Sequence, residues 1–329
     1  MAGGDTLVIR GGTYVERIGP YAIPSGTSDD NRTTIRNYDG EKVIIQPAAG
    51  MGAGVIFLGT QQYITIKADA RYNLVLDAIN IGGAALYLGG GNDIPDSATN
   101  IRIENVEIKN AVSSGILRGH LNEFINLWIH HNGSDDRDHG IYVGGSDNLV
   151  DGCVIHDNSG YGIHNYSGLG SQGGLYASRN VYRNNTVYRN GLVEGKAGII
   201  ISTGSDNQVY NNLVYENGGN GLNIYYGPTN TLVYNNTFYG NIGRGIDVDA
   251  SVGPGTVVRN NISFANTISN FRGTATEDHN LFGVDPQFLS TDTASADFLK
   301  LSFASTAAID QGADTGGVVT TDHWGVARP

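Results

Sequence analysis

Apolar and polar residues alternate along most of this chain in short phrases, such as TLVI, KVII, IRIENVEI and QVY, each closed by Asn, Asp or Gly. Period-two alternation rich in Val, Ile and Tyr predicts half-buried strands; the three-to-four-residue apolar spacing of an amphipathic helix is missing. The phrases also recur. LWIHHN, CVIHDN, TVYRN, LVYEN and TFYGN end at Asn132, Asn158, Asn190, Asn217 and Asn241, at intervals of 26, 32, 27 and 24 residues. After a short polar or Gly-rich turn, each is followed by a second phrase: HGIYV, YGIHN, AGIII, NGLNI or RGIDV. Self-similarity at this period marks a solenoid. Because its unit is a set of short strands, the predicted fold is all-β: a single-domain parallel β-helix of about ten coils. Parallel connections are overwhelmingly right-handed, so the coil should be right-handed too.

The register follows from the alternation. In QVYNNLVYEN, Val209 and Val214 should point inward, with Asn211 and Asn212 at the bend. Asn tolerates left-handed backbone angles, and its amide can satisfy turn N–H and C=O groups. Stacked coil on coil, such amides can also bond to one another, so the Asn ladder reads as structure. Two positions before each ladder Asn lie His130, His156, Tyr188, Tyr215 and Tyr239, which should face outward and stack; a sugar-binding strip is the alternative. Residues 1–280 read as coils. The stretch 165–180 lengthens one of them, and solenoid insertions often build the binding face. Residues 281–329 lose the ladder and should cap the last coil.

Composition changes the picture in a few places. The 48 glycines against 8 prolines suit many tight turns, and a 40% hydrophobic content argues against disorder. A net charge of −12 argues against nucleic acid and anionic membrane as partners. An acidic polysaccharide stays open, because a local basic cleft or a bound Ca²⁺ can override the global sign. The single cysteine, Cys153, cannot form an internal disulfide and reads as a buried packing thiol. No apolar run is long enough to span a bilayer.

GDTLVIRGGTY, HGIYVGGSDNLVDGCVIHDNSGYGIHNY, and DPQF with AIDQGADTG resemble the first coil, the repeats and the tail of the right-handed parallel β-helix superfamily of secreted bacterial and phage proteins, the pectate-lyase-like group. The resemblance covers nearly the whole chain. It implies a polysaccharide or oligosaccharide partner, a secreted, cell-surface or virion location, and a monomer, or a trimer if tailspike-like. The same coil carries lyases, hydrolases, C5-epimerases and tailspikes. Such proteins usually cap the first coil with an N-terminal helix, and none is readable before Asp5. No secretion signal is readable either, so an upstream leader is expected to have been trimmed.

Histidine is the outlier for chemistry, since six of the eight lie between His120 and His164. Aligning the second phrases by their first inward residue (Ile116, Ile141, Ile163, Ile199, Leu222, Ile246) makes Tyr142 and His164 outer neighbours. His139 flanks them, Arg118 lies one coil below, and Lys196 one coil above His164. A His base, a cation on a uronate carboxylate and a Tyr proton donor are the parts of β-elimination or C5 epimerisation. His164 is the leading candidate. The resemblance implies instead a Lys or Arg base, here Lys196 or Arg118, with Ca²⁺ on Asp135, Asp136 and Asp138. Tyr166, Tyr225, Asn223 and Asp247 fall on the same face as candidate substrate contacts. The expected function is a polysaccharide lyase acting on a uronate-containing glycan. A hydrolase would use paired carboxylates, with Asp247 and Asp249 the nearest approach to them. An adhesin would need only Tyr188, Tyr215, Tyr225, Tyr226, Tyr234 and Tyr239. A transition-metal site from His130, His131 and His156 lacks a recognisable ligand spacing.

Overall fold

The computed structural model describes residues 1–19, 22–52, 54–89, 97–167 and 177–328. Its strands stack into three sheets of eleven, eleven and nine strands, and the pairing between successive coils is parallel throughout. No helix occurs among the described residues. One coil shows the plan: Gln208–Tyr210 belongs to the first sheet, Leu213–Tyr215 to the second and Leu222–Ile224 to the third.

The corners come from residues in the left-handed region. Asn211 (φ 55°) turns the chain between the first and second strands, and Glu216 (φ 52°) turns it after the second. Each is followed by a buried Asn, Asn212 or Asn217. In the first two sheets the middle residue of each strand points inward, so Val209 and Val214 are fully buried. In the third sheet the parity reverses: Leu222 and Ile224 point in and Asn223 points out. The third sheet therefore presents one outward residue per coil. In register these are Phe57, Tyr87, Leu117, Tyr142, His164, Ile200, Asn223, Asp247 and Arg272.

The Asn ladder is real, and it is one of three. In the first, the Nδ2 of Asn132 donates to the Oδ1 of Asn158 at 3.0 Å, and the pattern repeats through Asn190, Asn217, Asn241 and Asn266 at 2.8–3.1 Å. A second runs Asn185, Asn212, Asn236, Asn261, Asn280 at 2.9–3.0 Å. A third links Asn122, Asn148, Asn180 and Asn207 at the corner before the first sheet. Each Oδ1 commonly also accepts a backbone N–H from the coil below, so the ladder meets the hydrogen-bonding demand of buried corners.

His130, His156, Tyr188 and Tyr215 stack outside the second sheet at 4.7–5.0 Å, with their rings within 7° of parallel. The aromatic-strip alternative does not hold. Phe298 covers Tyr215, Tyr239 meets Phe288 and Phe298, and Tyr234 is buried beside Val319. Tyr225 and Tyr226 lie beyond a strand of the third sheet, on another face. The covering residues come from the tail. It runs back along the outside of the coils, where Asn260 and Asn211 bond the backbone of Ala313 and Thr321. Cys153 is fully buried, and burial pushes its thiol up to about 12. Of the insertion at 165–180, residues 168–176 lie outside the described residues.

Candidate functional site

The outward row of the third sheet carries the chemistry. His139 sits in the turn before the strand Ile141–Val143, and its backbone N–H is held by Ser114 Oγ at 2.9 Å. Its ring reaches the next coil. Tyr161 N–H donates to His139 Nδ1 at 3.2 Å, and His139 Nε2 lies 2.8 Å from His164 Nδ1. His164 Nε2 in turn lies 3.4 Å from Ser202 Oγ. These contacts set the tautomers. Because His139 Nδ1 accepts from a backbone amide, the proton of neutral His139 is on Nε2 and is donated to His164 Nδ1. The proton of neutral His164 is therefore on Nε2, directed at Ser202.

Both rings stay neutral at ordinary pH. Burial holds His139 well below the usual imidazole range, with His164 and Lys196 adding to the effect. Burial, then Lys196, brings His164 down to about 3. This corrects the reading of His164 as a general base: its Nδ1 lone pair is taken and its Nε2 carries hydrogen. His164 is a donor.

Tyr142 packs between these rings and Arg118. Its ring is parallel to His139 at 5.7 Å and edge-on to His164 at 5.1 Å. Burial pushes its phenol up to about 12 against the opposing pull of Arg118. Arg118 Nε and Nη1 are buried without a hydrogen-bond partner among the described residues. Buried N–H groups without a partner cost free energy, so a small rotation of this half-buried side chain toward an anionic ligand would be repaid. Lys196 Nζ lies 5.6 Å from the Tyr161 ring centre and pairs with Asp136 at 2.9 Å. That contact raises Lys196 and lowers Asp136.

Next to this cluster a cavity of about 410 Å³ opens along the third sheet. Tyr161, His164 and Tyr166 form one end, Ile200 and Ser202 the floor, and Asn223, Tyr225 and Tyr226 the far side. Asp247 also lines it, but Arg272 grips its carboxylate at 2.6 and 2.9 Å and Asn220 adds a bond at 3.1 Å. Asp247 therefore braces the groove and is not a free substrate contact. Hydrogen bonds from Ser251 hold Asp249 below the usual carboxylate range.

The calcium ligands do not come together. Asp136 binds Lys196, Asp138 accepts from Ser134 N and Oγ at 3.1 Å, and Asp135 accepts from Arg137 N at 2.8 Å. Each carboxylate closes its own turn or ion pair, and no three His, Cys, Asp or Glu side chains among the described residues form a metal-holding group. The trio does not fit Ca²⁺. The same holds for His130, His131 and His156: His156 Nε2 accepts from Trp128 Nε1 and its Nδ1 meets Asp157, while His130 and His131 face each other.

Sequence reasoning missed Tyr161, whose N–H sets the histidine tautomers, and Arg272, which ties up Asp247. Tyr161 had a readable position before the Gly-Ile step of its coil; Arg272 carried no local signal.

Residues 117–280 match the family model described as "Right handed beta helix region". The chain is a right-handed parallel β-helix. Among solved structures, this β-helix resembles pectate lyase Pel9A with a TM-score of 0.66 at 15% identity, covering 98% of this chain and 86% of that one. It also resembles the A-module of the Azotobacter vinelandii mannuronan C-5 epimerase AlgE6 (TM-score 0.52, 16% identity, 87% and 92% covered). A third likeness is to ORF18 of Geobacillus virus E2 (TM-score 0.53, 13% identity, 84% and 52% covered). At such identities the likeness concerns the fold alone. No protein of curated function matches the chain in sequence.

Proposed function

We propose that this β-helix is a polysaccharide lyase that cleaves a uronate-containing glycan by β-elimination in the groove of the third sheet. The observation that carries the reading is one strip of outer surface. On consecutive coils it holds a guanidinium with two unpartnered nitrogens, a protonated phenol and a neutral imidazole donor, beside a lysine. Arg118 takes the uronate carboxylate and so acidifies the C5 proton. His164 Nε2–H donates to the negative charge that develops on that carboxylate. Lys196, as the neutral amine, removes the C5 proton; the electron pair forms the C4–C5 double bond; the C4–O bond breaks; and Tyr142 protonates the departing oxygen.

Free energies decide between the bases. Deprotonating an ordinary lysine at pH 7 costs about 5 kcal/mol, whereas a phenol near 12 costs about 7. Asp136 adds to the cost for Lys196, which is left as the base because Tyr142 stays protonated, as a proton donor must, and both costs shrink as pH rises. A hydrolase needs a protonated carboxylic acid facing a second carboxylate. In this groove Asp247 is bound by Arg272 and Asp249 is held low, which favours the lyase. The solved pectate lyase and epimerase with the same fold are consistent with chemistry at C5. On this reading the protein works as a monomer outside the cell or on a virion.

The test is a panel of pectate, alginate, a glycosaminoglycan and neutral xylan, followed by ultraviolet absorbance of unsaturated uronate and by reducing ends. Both signals together mean a lyase. Reducing ends alone would overturn the proposal in favour of a hydrolase, and solvent deuterium entering C5 without cleavage would mean an epimerase. Retained binding with no chemistry would mean an adhesin.

A further inference from the structure

Arg118 (φ 69°) and Tyr226 (φ 67°) are the two non-glycine residues with positive φ within two positions after a strand of the third sheet, among those described. Glycine takes comparable places at Gly89 and Gly119. A bulky side chain in the left-handed region costs on the order of 1–2 kcal/mol, a cost the corners of this coil bear at many positions. Arg118 has already been assigned to the reacting sugar. Tyr226 is held in its strained place by its N–H to Ser251 Oγ at 3.1 Å, and it is 66% exposed. Its ring centre lies 4.2 Å from that of Tyr225, itself a groove-lining residue. The two rings form an exposed aromatic ledge at the far side of the cavity, with no other ring packed on them among the described residues.

The distance from the reacting centre follows from the register. His164 pairs with Ile200, and Ile200 with Asn223, which starts the run to Tyr225 and Tyr226. Coils stack about 4.8 Å apart and residues about 3.3 Å along a strand, so the ledge is about 10 Å from His164 along the axis and roughly 12–14 Å in all, the span of two to three sugar units. Ile200 and Ser202 line the cavity between them.

We infer that Tyr226, with Tyr225 beside it, forms a second sugar subsite that stacks a glycan ring roughly two to three units from the one at His164. This rests on the glycan-binding reading above. A flat, partly apolar sugar face suits an exposed aromatic ring, and the neighbouring Asp249 carboxylate offers an acceptor to sugar hydroxyls. The groove then distinguishes chain length: a dimer at His164 cannot reach the ledge, whereas a hexamer can.

The experiment measures calorimetric affinity for galacturonate and mannuronate dimers and hexamers, with wild type, Tyr226→Asn and Tyr226→Phe. Asn tolerates the left-handed angle, so the first variant removes the ring and keeps the turn. Wild type should bind the hexamer of one series at least about tenfold more tightly than the dimer, a difference of about 1.4 kcal/mol. Tyr226→Asn should erase that ratio and Tyr226→Phe should keep it. The same ratio in Tyr226→Asn as in wild type overturns the subsite and leaves the reacting centre standing. A wild type that binds neither series nor a glycosaminoglycan hexamer overturns both.

Discussion

Gly160 offers the sharpest test of the histidine pair, because it touches no substrate. A Cβ added there would stand 2.5 Å from His139 Nδ1, 2.5 Å from the Asp138 carbonyl oxygen and 3.0 Å from that of Asp136. The Asp138 carbonyl cannot retreat cheaply, since Gly160 N–H itself bonds to it at 2.7 Å. Relief must come from the His139 ring. Gly160→Ala should then carry an overpacking cost of about 1–3 kcal/mol. If the ring moves away, the part-buried Tyr161 N–H loses its acceptor, for about another 1–2 kcal/mol. The expected loss is about 2–5 kcal/mol in urea unfolding. Gly82→Ala is the control, because nothing lies within 4 Å of the added methyl. The tautomer lock should fail as well. Nitrogen NMR of the wild type should show hydrogen on Nε2 of both His139 and His164, and the variant should lose that pattern. A displacement near 1 Å in an aligned site costs up to about 10²-fold in rate, so turnover on the panel substrate should fall on that scale. Wild-type stability with an unchanged tautomer pattern in Gly160→Ala would refute the relay.

Further outcomes follow from the same geometry. His164→Ala should reduce turnover by about 10² or more while the coil stays folded, as expected for a lost donor to developing charge; unchanged turnover removes His164 from the mechanism. The pH–rate profile should climb from neutral into the alkaline range, because Lys196 is raised by Asp136, and a maximum near the ordinary histidine value would point to an imidazole base. Stability should be full above about pH 6.5 and fall as pH drops toward about 3, since the unfolded chain takes up protons that folded His139 and His164 refuse. A His139→Asn/His164→Asn double variant should show a shallower fall in urea unfolding at stepped pH, and an identical slope would contradict the burial of these rings. Asn217→Ala deprives the buried Asn190 N–H of its acceptor and breaks the ladder to Asn241; the expected loss is about 2–4 kcal/mol, and a loss below about 1 would mean the ladder does not stabilise the corner.

Much of this molecule was settled locally. Period-two phrases, left-handed Asn corners and their recurrence every 24–32 residues leave few options besides a strand solenoid, because a short strand with one apolar side must stack on its neighbours to bury it. The outer row of the third sheet was legible for the same reason. Once Ile141, Ile163 and Ile199 are inward, Tyr142, His164 and Ile200 must be outward neighbours, and they are. Parity, however, places a side chain on a face without saying what it meets there. Whether His164 keeps a free lone pair depends on His139, reaching across from the coil below, and on Tyr161, whose N–H fixes the His139 tautomer. The three aspartates near His139 are close in sequence, yet turn geometry and Lys196 send their carboxylates to separate partners. Arg272 neutralises Asp247 from 25 residues away in the chain. The tail covers Tyr215 through Phe298, from a segment with no repeat to align. Repetition along one axis makes a fold readable from its sequence. Charge pairing, tautomer and cover depend on groups brought together across coils, and only the folded arrangement decides them.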